Sequence, residues 1–284
     1  MDRTDFISFI HEFQDRFCKI IEEADGVAKF SEDRWQRPDG GGGITRIIEG
    51  GRVFEKGGVN TSVVHGPITP ALSQQLKTSG DNFFACGISI VLHPLNPMVP
   101  TVHANFRYFE TENDRWFGGG ADLTPYYLFE EDVTHFHNAF QDACGLHYRD
   151  FKKNCDEYFV NKHRGEKRGV GGILYDYIRP ESNSDYWFAF TKKNAEALIK
   201  AYLPIVRKRK DLPYTDRHLR WQEIRRGRYV EFNLIHDRGT LFGLRSGGRT
   251  ESILMSLPPR ARFEYNDQPE AGSQEAALLE VLKT

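Results

Sequence analysis

The chain has 284 residues, of which 39% are hydrophobic and 27% are charged, and its formal net charge is −2. A chain of this length can bury most of its apolar surface as one large domain without cross-links. Because its charge is nearly balanced, the chain has no general attraction to nucleic acid or to an anionic membrane, and an anionic ligand must be bound by local arginines. No apolar run is long enough to span a membrane, so membrane insertion is not expected.

The cysteines and the N-terminus indicate the cellular compartment. The four cysteines are scattered without any C-x-x-C spacing, which argues against a zinc ribbon, a thioredoxin motif and covalent haem attachment. We predict that they are buried thiols in a reducing compartment. The first ten residues are acidic and amphipathic and resemble neither a secretory signal nor an Arg-rich transit peptide, so the expected location is cytoplasmic.

The N-terminal part of the chain predicts a helix followed by β structure. Phenylalanines and isoleucines recur at helical spacing from residue 4 to about 25. A glycine-rich loop is predicted at 38–43, and short alternating runs between 44 and 64 predict a hairpin. Residues 67–77 are predicted to form a loop and a short helix.

Two strands in the middle of the chain bring polar side chains together. The segments 83–93 and 99–110 read as strands, and the turn residues between them predict antiparallel pairing. Side chains two apart in a strand share a face, so His103, Asn105 and Arg107 point the same way. The pairing also brings Ser89 and His93 close to them.

The residues that follow add glycines and a carboxylate. Gly118, Gly119 and Gly120 precede Asp122, and such a run lets the backbone turn sharply or lets a ligand approach it closely. A polar strand face is equally typical of a solvated sheet, a glycine run is commonly a loop, and Asp122 is suited to capping a local turn. The residue pattern alone leaves these alternatives open.

The C-terminal half predicts mainly packing elements. A strand is expected at 173–178, a hairpin at 229–235 and 240–245, and helices at 130–144, 148–163, 184–210, 215–226 and 273–282. The glycines at 169–172 do not complete a dinucleotide-binding motif, and no P-loop lysine motif is present, so nucleotide binding is not expected. The backbone N–H groups and guanidinium of the run at 246–249 are suited to holding a carboxylate.

Six segments resemble the oxygen-dependent coproporphyrinogen III oxidases. They are FEKGGVN at 54–60, SIVLHPLNPMVPTVHANFRYFE at 89–110, WFGGGADLTPYY at 116–127, KHRGEKRGVGG at 162–172, RRGRYVEFNLIHDRGTLFGL at 225–244 and GGRTESILMSLPP at 247–259. The resemblance covers most of the chain after residue 40. One departure is Tyr177, which stands where many members of this family have an acidic residue.

The resemblance implies a fold and an activity. The fold would be α/β (α+β), a single domain over residues 1–284 with a large, rather flat antiparallel β-sheet covered by helices on both faces, and it would form a homodimer. The activity would convert two propionates of coproporphyrinogen III to vinyl groups with molecular oxygen, giving protoporphyrinogen IX, carbon dioxide and hydrogen peroxide. A large macrocycle with four carboxylates needs an aromatic-lined cleft and a few placed arginines, which this composition supplies.

The resemblance also assigns roles to residues of this chain. His103 would donate or accept a proton, and Asp122 would contact the pyrrole N–H groups. The substrate-binding residues would be Ser89, Asn105, Phe106, Arg107, Gly247, Gly248 and Arg249. Arg107 and Arg249 would pair with propionates in charge-assisted hydrogen bonds.

A metal is a separate alternative. Some members of the family have been assigned a divalent ion at histidines matching His93, His103, His137 and His163, whereas others need no cofactor. Because His103 does not easily serve both as a ligand and as a proton-transfer group, we expect no cofactor beyond oxygen. Two other hypotheses stay open on the sequence, a metal-dependent oxidase and a porphyrin-binding carrier that would not need Asp122.

Overall fold

The computed structural model describes residues 2–38, 40–180, 183–245 and 248–283. Seven strands form one antiparallel sheet in the order β1-β2-β3-β4-β5-β6-β9, and β7 pairs with β8 in a separate short ribbon. The strands are β1 (Ser31–Gln36), β2 (Gly41–Glu49), β3 (Phe54–Pro67), β4 (Asn82–Pro94), β5 (Thr101–Thr111), β6 (Arg115–Thr124), β7 (Val160–Asn161), β8 (Glu166–Lys167) and β9 (Gly171–Ile178).

Helices precede, interrupt and follow the sheet. They are α1 (Arg3–Asp25), α2 (Pro70–Leu76), α3 (Glu130–Cys144), α4 (Tyr148–Tyr158), α5 (Ser184–Arg209), α6 (Asp216–Glu231), α7 (Arg238–Arg245), α8 (Thr250–Leu254) and α9 (Gln274–Leu282). A π-helical turn (Phe232–His236) joins α6 to α7. Within the described ranges no helix is both long and apolar enough to cross a bilayer.

The sheet has a core face and a polar face. Along β5, the side chains of Val102, Ala104 and Phe106 are fully buried on the core face, while His103 and Arg107 alternate with them on the other face. Helices α1 and α5 contact the sheet and contribute to the main hydrophobic core with Phe106. The apolar face of α1 and the apolar face of the strands therefore pack against each other in one hydrophobic core.

The polar face is covered in part by the C-terminal segment. The Oγ atoms of Ser252 and Thr45 lie 2.8 Å apart, and the Ser256 carbonyl accepts a hydrogen bond from His93 Nε2 at 2.8 Å. The Met255 sulfur is so close to the backbone of β3 that it would lie 2.6 Å from a Cβ atom on Gly58. The predicted antiparallel sheet with helices on both faces is confirmed.

The glycine run at 118–120, for which a loop was one open alternative, lies in a strand, and so does part of the loop predicted at 38–43, in which residue 39 lies outside the described residues. Gly118–Gly120 lie inside β6, and the predicted loop at 38–43 gives way to β2 from Gly41 onward. Glycine is required there for close approach: a Cβ on Gly118 would lie 2.8 Å from Arg107 Nε, and one on Gly43 would lie 2.4 Å from the Trp35 ring. The sequence predicted that these glycines allow a close approach to the backbone, but it did not show that side chains of the protein itself make that approach.

The predicted hairpin at 229–235 and 240–245 is wrong, because this segment is helical. Arg225, Tyr229 and Phe232 are buried at intervals of four and three residues, which is helical spacing, and they belong to α6 and the π-helical turn. The short alternating pattern matched a strand only locally. The helix predicted at 148–163 also ends early, at Tyr158, and the remainder forms the β7–β8 ribbon.

Phe6 tests how far the sheet depends on α1. Its ring is fully buried and lies 5.8 Å from Tyr108 and 6.2 Å from Phe117, centroid to centroid. Phe6→Ala is expected to lower the free energy of unfolding by about 3–5 kcal/mol, because the truncation leaves a cavity between α1 and the sheet. Urea unfolding measures this loss, with Phe263→Ala as the control, since Phe263 is 61% exposed. Similar losses in both variants would contradict the packing described above.

Candidate active site

Three charged or titratable side chains meet on the polar face. His103 and Asp122 stand directly opposite each other on β5 and β6, and His103 Nδ1 donates a hydrogen bond to Asp122 Oδ1 at 2.8 Å. Arg168 donates to the same carboxylate twice, from Nη2 to Oδ1 at 2.6 Å and from Nε to Oδ2 at 3.2 Å. The structure thus confirms that His103 and Asp122 lie together and adds Arg168.

Arg168 is the main residue that the sequence analysis missed. It lies between β8 and β9, where its guanidinium packs over the Phe159 ring at 4.0 Å and near the Tyr229 ring at 4.7 Å. Its Nη1 donates to Asn233 Oδ1 at 3.0 Å. In the sequence it is one of several basic residues in a glycine-rich stretch, and no spacing signal separates it from a solvated arginine.

These contacts keep Asp122 ionised. Burial by itself raises the pKa of Asp122, but the Arg168 guanidinium and the His103 hydrogen bond outweigh burial and hold this pKa below its ordinary value of 3.8. An ionised carboxylate only accepts hydrogen bonds, so His103 Nδ1 carries a hydrogen. No described residue is a hydrogen-bond partner of His103 Nε2, and this atom is left to exchange a proton with a ligand.

Asp122 and His103 differ in their exposure on the polar face, whose open part beside His103, Asn105 and Arg107 is called the groove below. The His103 side chain is 21% exposed, whereas those of Asp122 and Arg168 are each 2% exposed. Both carboxylate oxygens of Asp122 are already hydrogen-bonded by protein groups. His103 therefore faces the groove, and Asp122 lies behind it.

Arg107 lies on the same face, farther along β5. Its Nη1 donates to Asn105 Oδ1 at 2.9 Å, and its Nη2 lies 2.7 Å from Asp176 Oδ2 on β9. Ser89 pairs with Asn105 in the neighbouring strand and shares the polar face. Ser89, Asn105 and Arg107 are thus brought together with His103, as predicted, and Asp176 is a further addition from the structure.

Arg249 belongs to the same face at its opposite end. It caps α8, donates from Nη1 to Ser252 Oγ at 3.2 Å, and forms an ion pair with Asp33 on β1. Three to four strand spacings, roughly 14–19 Å, separate this position from Arg107. The two arginines can therefore bind different carboxylates of one large ligand but not the same carboxylate. Gly248 lies beside Arg249, while Gly247 lies outside the described residues.

The side chain of Phe106 is not part of this face. It is fully buried in the hydrophobic core on the opposite side of the sheet. Because neighbouring side chains of a strand point to opposite faces, a residue between Asn105 and Arg107 must point away from them. Only the backbone of Phe106 is available to a ligand in the groove.

The four histidines of the metal hypothesis do not converge on one point. His93, His137 and His163 each accept a hydrogen bond at Nδ1, from Thr101, Tyr148 and His236 respectively. Each also donates from Nε2, to the Ser256 carbonyl, the Val170 carbonyl and the Glu231 carboxylate. Across the ranges that the structure describes, no three His, Cys, Asp or Glu side chains are grouped so that they could hold an ion.

Arg168→Met tests the buried ion pair. We expect a loss of about 3–5 kcal/mol in the free energy of unfolding at neutral pH, because Asp122 is left buried and unpaired. In the native protein the depressed pKa of Asp122 stabilises the fold above pH 3.8, and this contribution is lost as the pH falls through the folded-state pKa. The difference between the two proteins should therefore shrink in acid, as measured by urea unfolding at neutral pH and below pH 3.8.

A second substitution serves as the control. Adding Asp122→Asn to Arg168→Met removes the unpaired charge and should recover part of the lost stability. Equal losses in the single and double variants would show that packing of the arginine over the aromatic rings, and not its charge, stabilises the site.

Comparison with known proteins is consistent with this geometry. The family model described as coproporphyrinogen III oxidase matches residues 5–284. The oxygen-dependent coproporphyrinogen-III oxidase, chloroplastic, of Glycine max is 51% identical, over 98% of this chain and 77% of that protein. The oxygen-dependent coproporphyrinogen-III oxidase of Drosophila melanogaster is also 51% identical, over 96% of this chain and 75% of its own length. The chain belongs to the coproporphyrinogen III oxidase family.

Proposed function

We propose that this protein catalyses the oxygen-dependent oxidative decarboxylation of coproporphyrinogen III to protoporphyrinogen IX in haem biosynthesis. In each of two steps a propionate, one proton and O2 give a vinyl group, CO2 and H2O2. The observation that carries the proposal is the ionised, buried Asp122 behind a groove-facing His103, on a face that also presents Arg107 and Arg249. Membership of the family supplies the reaction class.

His103 is the group placed to exchange a proton with the macrocycle. Its Nδ1 hydrogen is held by Asp122 at 2.8 Å, which fixes the tautomer and leaves Nε2 toward the groove. An ionised Asp122 also stabilises an imidazolium if Nε2 takes up a pyrrole proton. Asp122 therefore acts through His103 here, and a direct contact of Asp122 with pyrrole N–H groups would require His103 to move aside.

The two arginines match a ligand that carries carboxylates on opposite edges. Arg107 keeps donors that neither Asn105 nor Asp176 fully uses, because a guanidinium has five N–H groups. Around Arg107 the polar face is low, since Gly87 and Gly118, which stand opposite Arg107 on β4 and β6, present no side chain there. This shape suits a broad macrocycle that lies against the sheet.

We further propose that oxygen is the sole co-substrate and that no metal is required. The ring nitrogens of His93, His137 and His163 are all engaged in hydrogen bonds with protein groups, so binding an ion would break existing bonds at several separate places. The homodimer and the cytoplasmic location are proposals as well. The homodimer rests on the family resemblance, and the location is supported by four buried free thiols.

The activity is tested by incubating purified, chelator-treated protein with coproporphyrinogen III with and without oxygen. We expect protoporphyrinogen IX and peroxide only in the presence of oxygen, with full activity after chelation. Activity that returns only on addition of a metal would contradict the metal-free proposal. Binding of the macrocycle without any turnover would instead indicate a carrier.

Asp122→Asn separates catalysis from binding. The amide keeps the size of the side chain but loses the charge that fixes the His103 tautomer, so we expect kcat to fall by about 10²- to 10⁴-fold while substrate still binds. The matched control is Asp132→Asn, which breaks another buried pair, the Asp132–Arg209 pair at 2.8 Å on α3 and α5. If the control reduces turnover as much as Asp122→Asn does, the loss reflects general destabilisation.

A further inference from the structure

We propose that Asp176 is a specificity-determining residue that competes with the substrate for Arg107. The Asp176 carboxylate contacts one side of the guanidinium, and a propionate displaces it on binding. This inference rests on the proposed function, because it takes a propionate of the macrocycle as the ligand of Arg107. It assigns Asp176 a role in binding and release rather than in the chemistry.

The first support is the open path between the two side chains. Arg107 is on β5 and Asp176 on β9, and β6 lies between them in the sheet. A Cβ on Gly118 of β6 would lie 2.8 Å from Arg107 Nε and 2.9 Å from Asp176 Oδ1. A side chain at this position would push both partners aside, so Gly118 leaves the room in which the ion pair passes over this strand.

The second support is the backbone conformation next to Asp176, which orients its carboxylate toward Arg107. The pairing of β6 with β9 shifts register between Phe117 and Gly119, and opposite this irregularity Tyr177 has a φ of 52°. A left-handed conformation is strained for an aromatic residue, and its occurrence beside a site suggests a functional constraint. The Tyr177 N–H donates to Asp176 Oδ1 at 2.9 Å, which leaves Oδ2 for Arg107.

The ring of Tyr177 holds this conformation in place. It packs 5.3 Å from the Trp116 ring, and the Arg179 guanidinium lies 5.2 Å from it. Tyr177 is also the position where the sequence departs from many family members. The departure therefore lies next to a residue that contacts Arg107.

The third support is the contrast with the buried pair. The Arg107 side chain is 40% exposed and that of Asp176 is 21% exposed, whereas Arg168 and Asp122 are almost completely buried. Exposed ion pairs are weak and exchange partners readily, and buried pairs do not. The Arg107–Asp176 pair therefore has the properties of a replaceable contact. A carboxylate that returns to Arg107 also favours release of the product, which retains two propionates.

Asp176→Asn tests this competition. We expect the variant to bind coproporphyrin III, the oxidised and unreactive macrocycle, about tenfold more tightly in a fluorescence titration, because a competing charge is removed. Binding of its tetramethyl ester, which lacks the carboxylates, should not change. In turnover, KM should fall while kcat does not rise.

Two variants control the interpretation. Glu110→Gln removes a carboxylate that is also 21% exposed and paired at 3.0 Å with an exposed arginine, Arg3, and it should leave the affinity unchanged. Asp176→Glu keeps the charge and should retain the weaker affinity of the native protein. Tighter binding by Glu110→Gln, or binding by Asp176→Asn that is weaker than or equal to the native affinity, would overturn the proposal.

The same titration separates this inference from the proposed function. If the native protein binds coproporphyrin III and turns over coproporphyrinogen III but Asp176→Asn gains no affinity, only the inference about Asp176 fails. If the native protein neither binds nor turns over the macrocycle, the proposed function fails and this inference fails with it.

Discussion

The buried ion pair between Asp122 and Arg168 is the interaction on which the site depends. Removing two charges from water is costly, and such a pair is stable only when further hydrogen bonds satisfy both partners. Here His103 supplies one for Asp122 and Asn233 supplies one for Arg168, while aromatic rings cover the guanidinium. The pair thereby joins β6 to the π-helical turn on the polar face of the sheet, and it fixes the tautomer of the histidine that faces the groove.

The arginines on this face differ in burial: Arg168 is buried, whereas Arg107 and Arg249 are partly exposed. Arg168 is enclosed by protein and has a permanent partner, so its charge acts on Asp122. Arg107 and Arg249 are partly exposed, and each is paired with an aspartate near the surface. Solvent screening makes the exposed pairs weak, so their aspartates can give way to the carboxylates of a ligand. The same residue type is thus held in a permanent pair at one position and in exchangeable pairs at the other two.

Two glycines let neighbouring groups approach the polar face of the sheet closely. Gly118 lets an ion pair cross β6, and Gly58 lets α8 approach β3 closely. A side chain at either point would collide with the group that now packs there. The close contacts on the polar face therefore depend on these glycines, whereas the core face of the same sheet is filled with apolar side chains.

The sequence by itself determined the central strands, their pairing, and the common face of His103, Asn105 and Arg107, because two-residue alternation and turn chemistry are local properties. It did not determine the helical state of 229–245, because a short alternating run fits a helix as well as a strand. Nor did it identify Arg168 or Asp176, since local spacing carries no information about which basic and acidic residues meet on the polar face. Those contacts join residues 46 and 69 positions apart in the chain. Only the packing of distant segments on the sheet decided them, because burial and partner geometry are properties of the folded chain.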